Sequence, residues 1–397
     1  MSNIYPAKAY PKLNNEDILE FQIPESKFQV LLSEVYLHFV VQIDQTKISG
    51  GDLIPQNWFA AKQFSSVEVK LNDESVSRRS MPQEYALSTY INSIVNYSQG
   101  LTKSGCRSIG VFDSTNLHTT LIEAMVKKGT WTRYCRDRKS VNDTFAYEII
   151  MPIDNTLFYS DNLLPSGQKW SLSFERAETK FSTLVTAADA DVSSVPKVLS
   201  LDDVYLMIPY TADEKMKRRE SNWIHKPIPI NYDKYQLQRY TLESGSNYVR
   251  IPNIINGKLP KVLLFGIMTD ESYFGSFKES STLFKRHELV EIDLLKNGSS
   301  MPGMPIKMSD ANVTIPYVRF LELSGKFVEK NTTSVMNLQA FNDYNFLHCA
   351  TFPEGSIGSL SVEFSFTTNV PDGLILVLFS IYGAQMEIDK YGNFTTN

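Results

Sequence analysis

Two strand-like patterns occur twice in this chain, in the same order, and that duplication narrows the possible folds more than any other feature. The first copy reads Val67-Glu-Val-Lys-Leu71, then Ser80-Met81-Pro82; the second reads Val290-Glu-Ile-Asp-Leu294, then Ser300-Met301-Pro302. Further along, Pro165-Ser-Gly167 precedes Ser171-Leu-Ser-Phe174, and Pro353-Glu-Gly355 precedes Ser359-Leu-Ser-Val-Glu-Phe364. Repeated collinear segments at a long period point to two copies of one structural unit. The chain has 397 residues, enough for two cores of ordinary domain size.

The unit itself reads as a β-sandwich. Val35, Leu37 and Phe39 alternate with polar or aromatic neighbours, as do Val67, Val69 and Leu71, then Trp170, Leu172 and Phe174, and Val204, Leu206 and Ile208 repeat the spacing. In the second copy the same alternation runs through Leu289 to Leu294 and through Leu360, Val362, Phe364 and Phe366. A period of two marks strands with one buried face. The unbroken apolar run Leu374 to Tyr382 fits a central strand buried on both faces, and it is far too short to span a bilayer as a helix.

Two stretches are helical by pattern. Gln83 to Gln99 places Leu87, Tyr90, Ile91, Ile94 and Val95 on one face, and Leu117 to Lys128 ends at Gly129, a good C-terminal cap. Both fall between the matched points of the first copy, which is longer there by about 30 residues. A small, polar, Pro-ended stretch, Ala187 to Pro196, reads as the linker between copies. The expected organisation is a flexible arm over 1–15, a first sandwich over 16–190 with a helical insertion near 83–140, and a second sandwich over 191–397.

Several chemistries lack their residues. The histidines His38, His118, His225, His287 and His348 form no metal-binding spacing, and no phosphate loop, dinucleotide glycine pattern or nucleophile elbow occurs. Cys106, Cys135 and Cys349 are too scattered for a disulfide framework or a zinc site. The sequons at Asn142, Asn297, Asn312 and Asn331 carry no meaning without a secretory route, and no apolar signal core opens the chain. The expectation is no catalytic residue, no cofactor, no metal and no small-molecule substrate. Net charge is −5, so no bulk basic field invites nucleic acid.

At this point the residues resemble a known family, the double jelly-roll major capsid proteins of Polinton (Maverick) elements and adintoviruses, with virophage and adenovirus hexon-type capsid proteins as distant kin. The resemblance is carried by Thr89-Tyr-Ile-Asn-Ser-Ile-Val-Asn-Tyr97 after Val67 to Asn72. It continues through Leu259-Pro-Lys-Val-Leu-Leu-Phe-Gly266 with Asp270, Phe274-Gly-Ser-Phe277, Phe284 and His287, through Tyr317-Val-Arg319 and Ser324-Gly325, and on to Met386-Glu-Ile-Asp389. It covers most of 240–394 and a stretch around 64–98, and is thin elsewhere.

The resemblance implies an all-β fold: two tandem eight-stranded antiparallel jelly-roll sandwiches with short helical insertions. It implies a structural protein whose three copies form a pseudo-hexameric capsomer that tiles an icosahedral virion shell, assembled inside the host cell in cytoplasm or nucleus. Its partners would be further copies of itself, penton and minor capsid proteins. Two basic clusters, Lys127 to Lys139 and Lys215 to Arg219, read first as solvated loops and second as contacts with an inner membrane, packaged DNA or a neighbouring capsid protein. Trp58, Phe59, Tyr273 and Phe274 are the candidate inter-subunit contacts, with ordinary core packing as the competing reading. Two other functions stay open: a carbohydrate- or receptor-binding sandwich, and a jelly-roll enzyme, for which no His-rich cluster or facing carboxylate pair is visible.

Overall fold

A computed structural model describes residues 4–47, 49–78, 81–96, 144–158, 163–185, 189–211, 228–309, 313–325, 327, 336–389 and 394–396. Sixteen strands among them build two jelly rolls. The first uses β1 (Ile4–Ala9), β2 (Ile18–Ile23), β3 (Tyr36–Asp44), β4 (Phe64–Leu71), β5 (Glu74–Arg78), β6 (Thr144–Pro152), β7 (Trp170–Arg176) and β8 (Ser200–Thr211). The second uses β9 (Ile228–Thr241), β10 (Tyr248–Lys258), β11 (Val262–Thr269), β12 (Leu289–Lys296), β13 (Ser299–Ser300), β14 (His348–Thr351), β15 (Ile357–Phe366) and β16 (Leu374–Ile388).

Pairing repeats between the halves. One sheet of the first sandwich runs β1-β8-β3-β6 and the other β2-β7-β4-β5; the second sandwich runs β9-β16-β11-β14 and β10-β15-β12-β13. Each strand of the first half therefore has a counterpart eight strands later, and the duplication expected from sequence is real. The matched segments are β4 with β12 and β7 with β15. Their pairing differs from the sequence match by two residues: Phe174 lies opposite Val67, whereas Phe364 lies opposite Ile292. A two-residue step keeps every side chain on its own face, so the inward positions Val67, Val69, Leu71, Ile292 and Leu294 are all buried.

Three expectations need correction. The N-terminal segment is no free arm over its length, because Ile4–Ala9 pairs antiparallel with Leu206–Thr211 and Leu13–Asn14 pairs with Leu19 and Glu20. Its proline marks an edge strand, where a missing N–H costs nothing. The boundary at 190 also moves: β8, at Ser200–Thr211, pairs with β3 and closes the first sandwich. The described part of the small polar run, residues 189–196, leads into β8. Finally, helices are not confined to the first half. The second carries α2 (Asp270–Phe274), α3 (Thr314–Leu323) and α4 (Leu338–Tyr344) in addition to α1 (Glu84–Asn96) of the first. The expected helix Leu117 to Lys128 lies outside the described residues.

Two large cores fill the sandwiches, and each borrows from the other half. Trp58, Leu87, Tyr90, Ile91, Ile94 and Val95 from the first half belong to the second core. Ile230, Met386 and Ile388, near one end of β9 and β16, belong to the first.

Candidate functional site

Among the described residues no group of three His, Cys, Asp or Glu side chains converges as a metal site, and no described helix is long and apolar enough to cross a membrane. What the fold builds with care is the joint between the sandwiches and the two edges left over once that joint is made.

The joint begins with α1. Its expected apolar face is buried, and so are Tyr85, Ser88, Thr89, Asn92 and Ser93 on the other sides. The hydroxyls of Ser88, Thr89 and Ser93 donate to the carbonyls of Glu84, Tyr85 and Thr89 one turn back, which satisfies polar groups that face no water. On one side α1 lies over β4 of its own sandwich. On the other it meets β9: Glu84 Oε1 accepts from the Leu237 N–H at 3.3 Å, and Asn92 Oδ1 accepts from the Tyr235 hydroxyl at 3.4 Å. The Tyr90 hydroxyl donates to Asn345 Oδ1, just before β14, and burial pushes that phenol's pKa up.

Beside α1 lies a buried polar hub. Gln56 Oε1 accepts from Lys62 Nζ, the Ser281 N–H and the Ser281 hydroxyl, each at 2.9 Å, while Gln56 Nε2 donates to the Thr183 carbonyl at 3.2 Å. Lys62 also donates to Thr282 Oγ1 at 3.1 Å. Lys62 is wholly inaccessible, its two contacts are to neutral oxygens, and desolvation lowers its pKa well below the usual amine value.

The chains of the two halves also touch directly. Gly275 has φ +89°, and a Cβ there would lie 2.7 Å from Phe181 Cα. Close by, the Val185 N–H donates to the Phe277 carbonyl at 2.9 Å. At the far end, the turn Thr156–Phe158 after β6 packs against β9. Helix α1 and the turn after β6 thus both hold β9 against the first sandwich.

Three of the four aromatic candidates are consumed by this packing. Trp58 lies edge-on to Tyr90, Phe59 packs on Tyr147 in the first core, and Tyr273 donates to the Pro82 carbonyl at 2.8 Å. All three are at most 1% exposed, so their side chains have no surface to give a neighbour. The loops that carry them fold into the joint. Phe274 remains at the surface at 39% exposure, with the Arg239 guanidinium 4.8 Å from its ring.

The leftover edges are β14 and β1. Beside β14 stands α3, and between them opens a cleft of about 360 Å³ lined by Met301, Met304, Arg319, Leu323, Ala350 and Thr351. Arg319 donates to the Gly303 carbonyl at 2.8 Å across it. Cys349 borders the cleft, but burial pushes its thiol up to about 12, so it is inert. On the other face of β14 His348 sits between Phe265 and Phe346, and burial holds its pKa down at about 3. His287 is likewise depressed, to about 4, by burial and the nearby Lys285. On the β1 side, Tyr10 is 65% exposed and Leu13 is also exposed.

These features define a double jelly roll, a fold of two sandwiches joined edge to edge. Solved structures with the same architecture match this chain over its whole length. The VP54 protein of PBCV-1, fitted into a reconstruction of the virophage Sputnik, superposes with a TM-score of 0.61 at 10% identity, covering 100% of this chain and 97% of that one. The Faustovirus major capsid protein gives 0.59 at 8% identity, covering 98% and 91%. The mavirus major capsid protein gives 0.57 at 8% identity, covering 99% and 90%. No protein-family profile and no curated protein sequence matches the chain.

Proposed function

We propose that this chain is a viral major capsid protein, three copies of which close into a capsomer of pseudo-hexagonal outline that tiles an icosahedral shell. The observation that carries this reading is the match in both directions: each sandwich has its counterpart, and little of either chain is left over. Enzymes on jelly rolls place their chemistry in a sandwich interior or cleft; here the two interiors are packed with apolar side chains. The protein acts in the virion, with penton and minor capsid proteins as further partners and with Phe274 as a candidate contact. The basic clusters, outside the described residues, are the proposed points of contact with an inner membrane or packaged DNA. The sequence motifs favour the Polinton and adintovirus lineage.

Light scattering after size exclusion, followed by electron microscopy of the same fraction, tests the proposal. A species of three chains with hexagonal outlines is expected. A stable monomer that never assembles would overturn it and turn attention to glycan binding by the sandwich surface.

A further inference from the structure

One histidine on the outward face of the first sandwich is placed so that its contacts demand a particular proton. Along β3, Leu37, Phe39 and Val41 fill the core, so His38 points the other way, yet its ring is only 2% exposed. It stacks on Tyr205, its cross-strand neighbour in β8, with ring centroids 4.2 Å apart and planes 15° from parallel. Lys8 of β1 in turn lies 3.9 Å from the centre of the Tyr205 ring, and Tyr10 packs at a tilt beside it.

Both ring nitrogens of His38 meet oxygens. Nδ1 lies 2.9 Å from the Asp203 carbonyl, and Nε2 lies 2.9 Å from Glu148 Oε1 on β6. A carbonyl oxygen can only accept, and so can an ionised carboxylate. A neutral imidazole has one N–H and one lone pair, so it fills one contact and turns its lone pair toward oxygen in the other. Filling both takes a ring protonated on both nitrogens. The remaining charged groups around it meet other partners: Asp202 accepts from the Gln42 amide, and the Asp203 carboxylate and Tyr205 hydroxyl act on Lys8. Glu148 is therefore the counter-ion.

What the two bonds hold is a defect in the sheet. The register of β8 against β3 shifts between Asp202 and Tyr205, and Asp203 has φ +47°, in the left-handed region that is strained for a residue with a side chain. We propose that His38, Glu148 and the Asp203 carbonyl form a proton-operated pin: the doubly protonated ring ties the β8 bulge to β3 and β6, and loss of one proton as pH rises breaks the tie and loosens the bulge. The sign follows from linkage. The folded chain holds the imidazole proton more tightly than the unfolded chain, so the stabilisation is present at low pH and is lost as pH rises. The pin rests on the fold alone and stands whether or not the chain assembles.

Glu148→Gln separates the charge from the contact, because a Gln amide can donate to a neutral Nε2 while the Nδ1 proton stays on the Asp203 carbonyl. Denaturant unfolding of the full-length wild type and of this variant is compared between about pH 5.5 and about pH 8.5, either side of the ordinary imidazole value of about 6.5. The unfolding equilibrium constant of the wild type relative to the variant is expected to rise about threefold to tenfold over that range. A ratio that stays constant overturns the pin. Hydrogen exchange in the wild type alone gives a second reading that does not depend on the variant folding. Protection of residues 200–211 is expected to fall relative to residues 170–176 as pH rises, and an unchanged relative protection overturns the pin as well.

Discussion

Both sandwiches carry a helical insertion at the same place, between β5 and β6 in the first and between β13 and β14 in the second, yet the insertions meet opposite fates. Nearly all of α1 is buried, because it is clamped between its own sandwich and β9. Helices α3 and α4 bury only Pro316, Phe320, Ala340 and Phe341, and leave Ile315 at 49% and Leu338 at 42% exposed. One topological position thus serves once as an internal joint and once as an outward face. A duplicated fold satisfies within the chain only the contacts between its first and second units; the others point outward.

The comparison breaks most readily at the joint. Trp58→Ala removes a fully buried ring from the first half that packs in the second half's core. It is expected to cost about 3–5 kcal/mol in urea denaturation, with both sandwiches still melting in one transition. Two resolved transitions in the wild type would mean that the cores are independent. A subtler break lies at Lys62. Its folded pKa is lowered, so between the folded and unfolded values the unfolded chain holds more protons, and stability rises with pH. Lowering the pH from about 10 toward the folded value removes up to about 1.4 kcal/mol per pH unit. Lys62→Met should flatten that rise, as read from denaturant midpoints at successive pH values below the unfolded amine value of about 10.4; an unchanged slope would place the titration elsewhere. The smallest effect is expected at the outward face. Ile315→Ser should leave the stability of the isolated chain within about 0.5 kcal/mol, and a larger loss would mean that α3 is tied into the core after all.

The regular parts of this architecture were legible because alternation is a local signal. The inward rows of β4, β7, β12 and β15 stand in the sequence as they stand in the sheets, and the apolar run of β16 is the central strand it resembles. The boundary was not legible. Ala187 to Pro196 has the composition of a connection, but only the pairing of β8 with β3, some 160 residues earlier, tells which connection it is. The same limit explains Trp58 and Tyr273. An aromatic in a loop is a surface anchor or a core residue according to what the loop folds against, and these loops fold against each other's sandwich. The helices of the second half left faint traces. Asn337 caps α4 by accepting from the Ala340 N–H at 2.8 Å, a signal present in sequence but too short to stand out from the strands around it.

Gly275 passes Phe181 with backbone against backbone. Side chains at a joint can change rotamer and so absorb small differences in angle; Gly275 has none to do so. In a closed surface assembled from many copies, any play at each hinge accumulates around the circumference, and shells of mixed size result. A joint with so little slack fixes the angle between the two halves at folding, before any copy meets another. In a shell of the kind proposed above, curvature would then be adjusted between molecules and not within them.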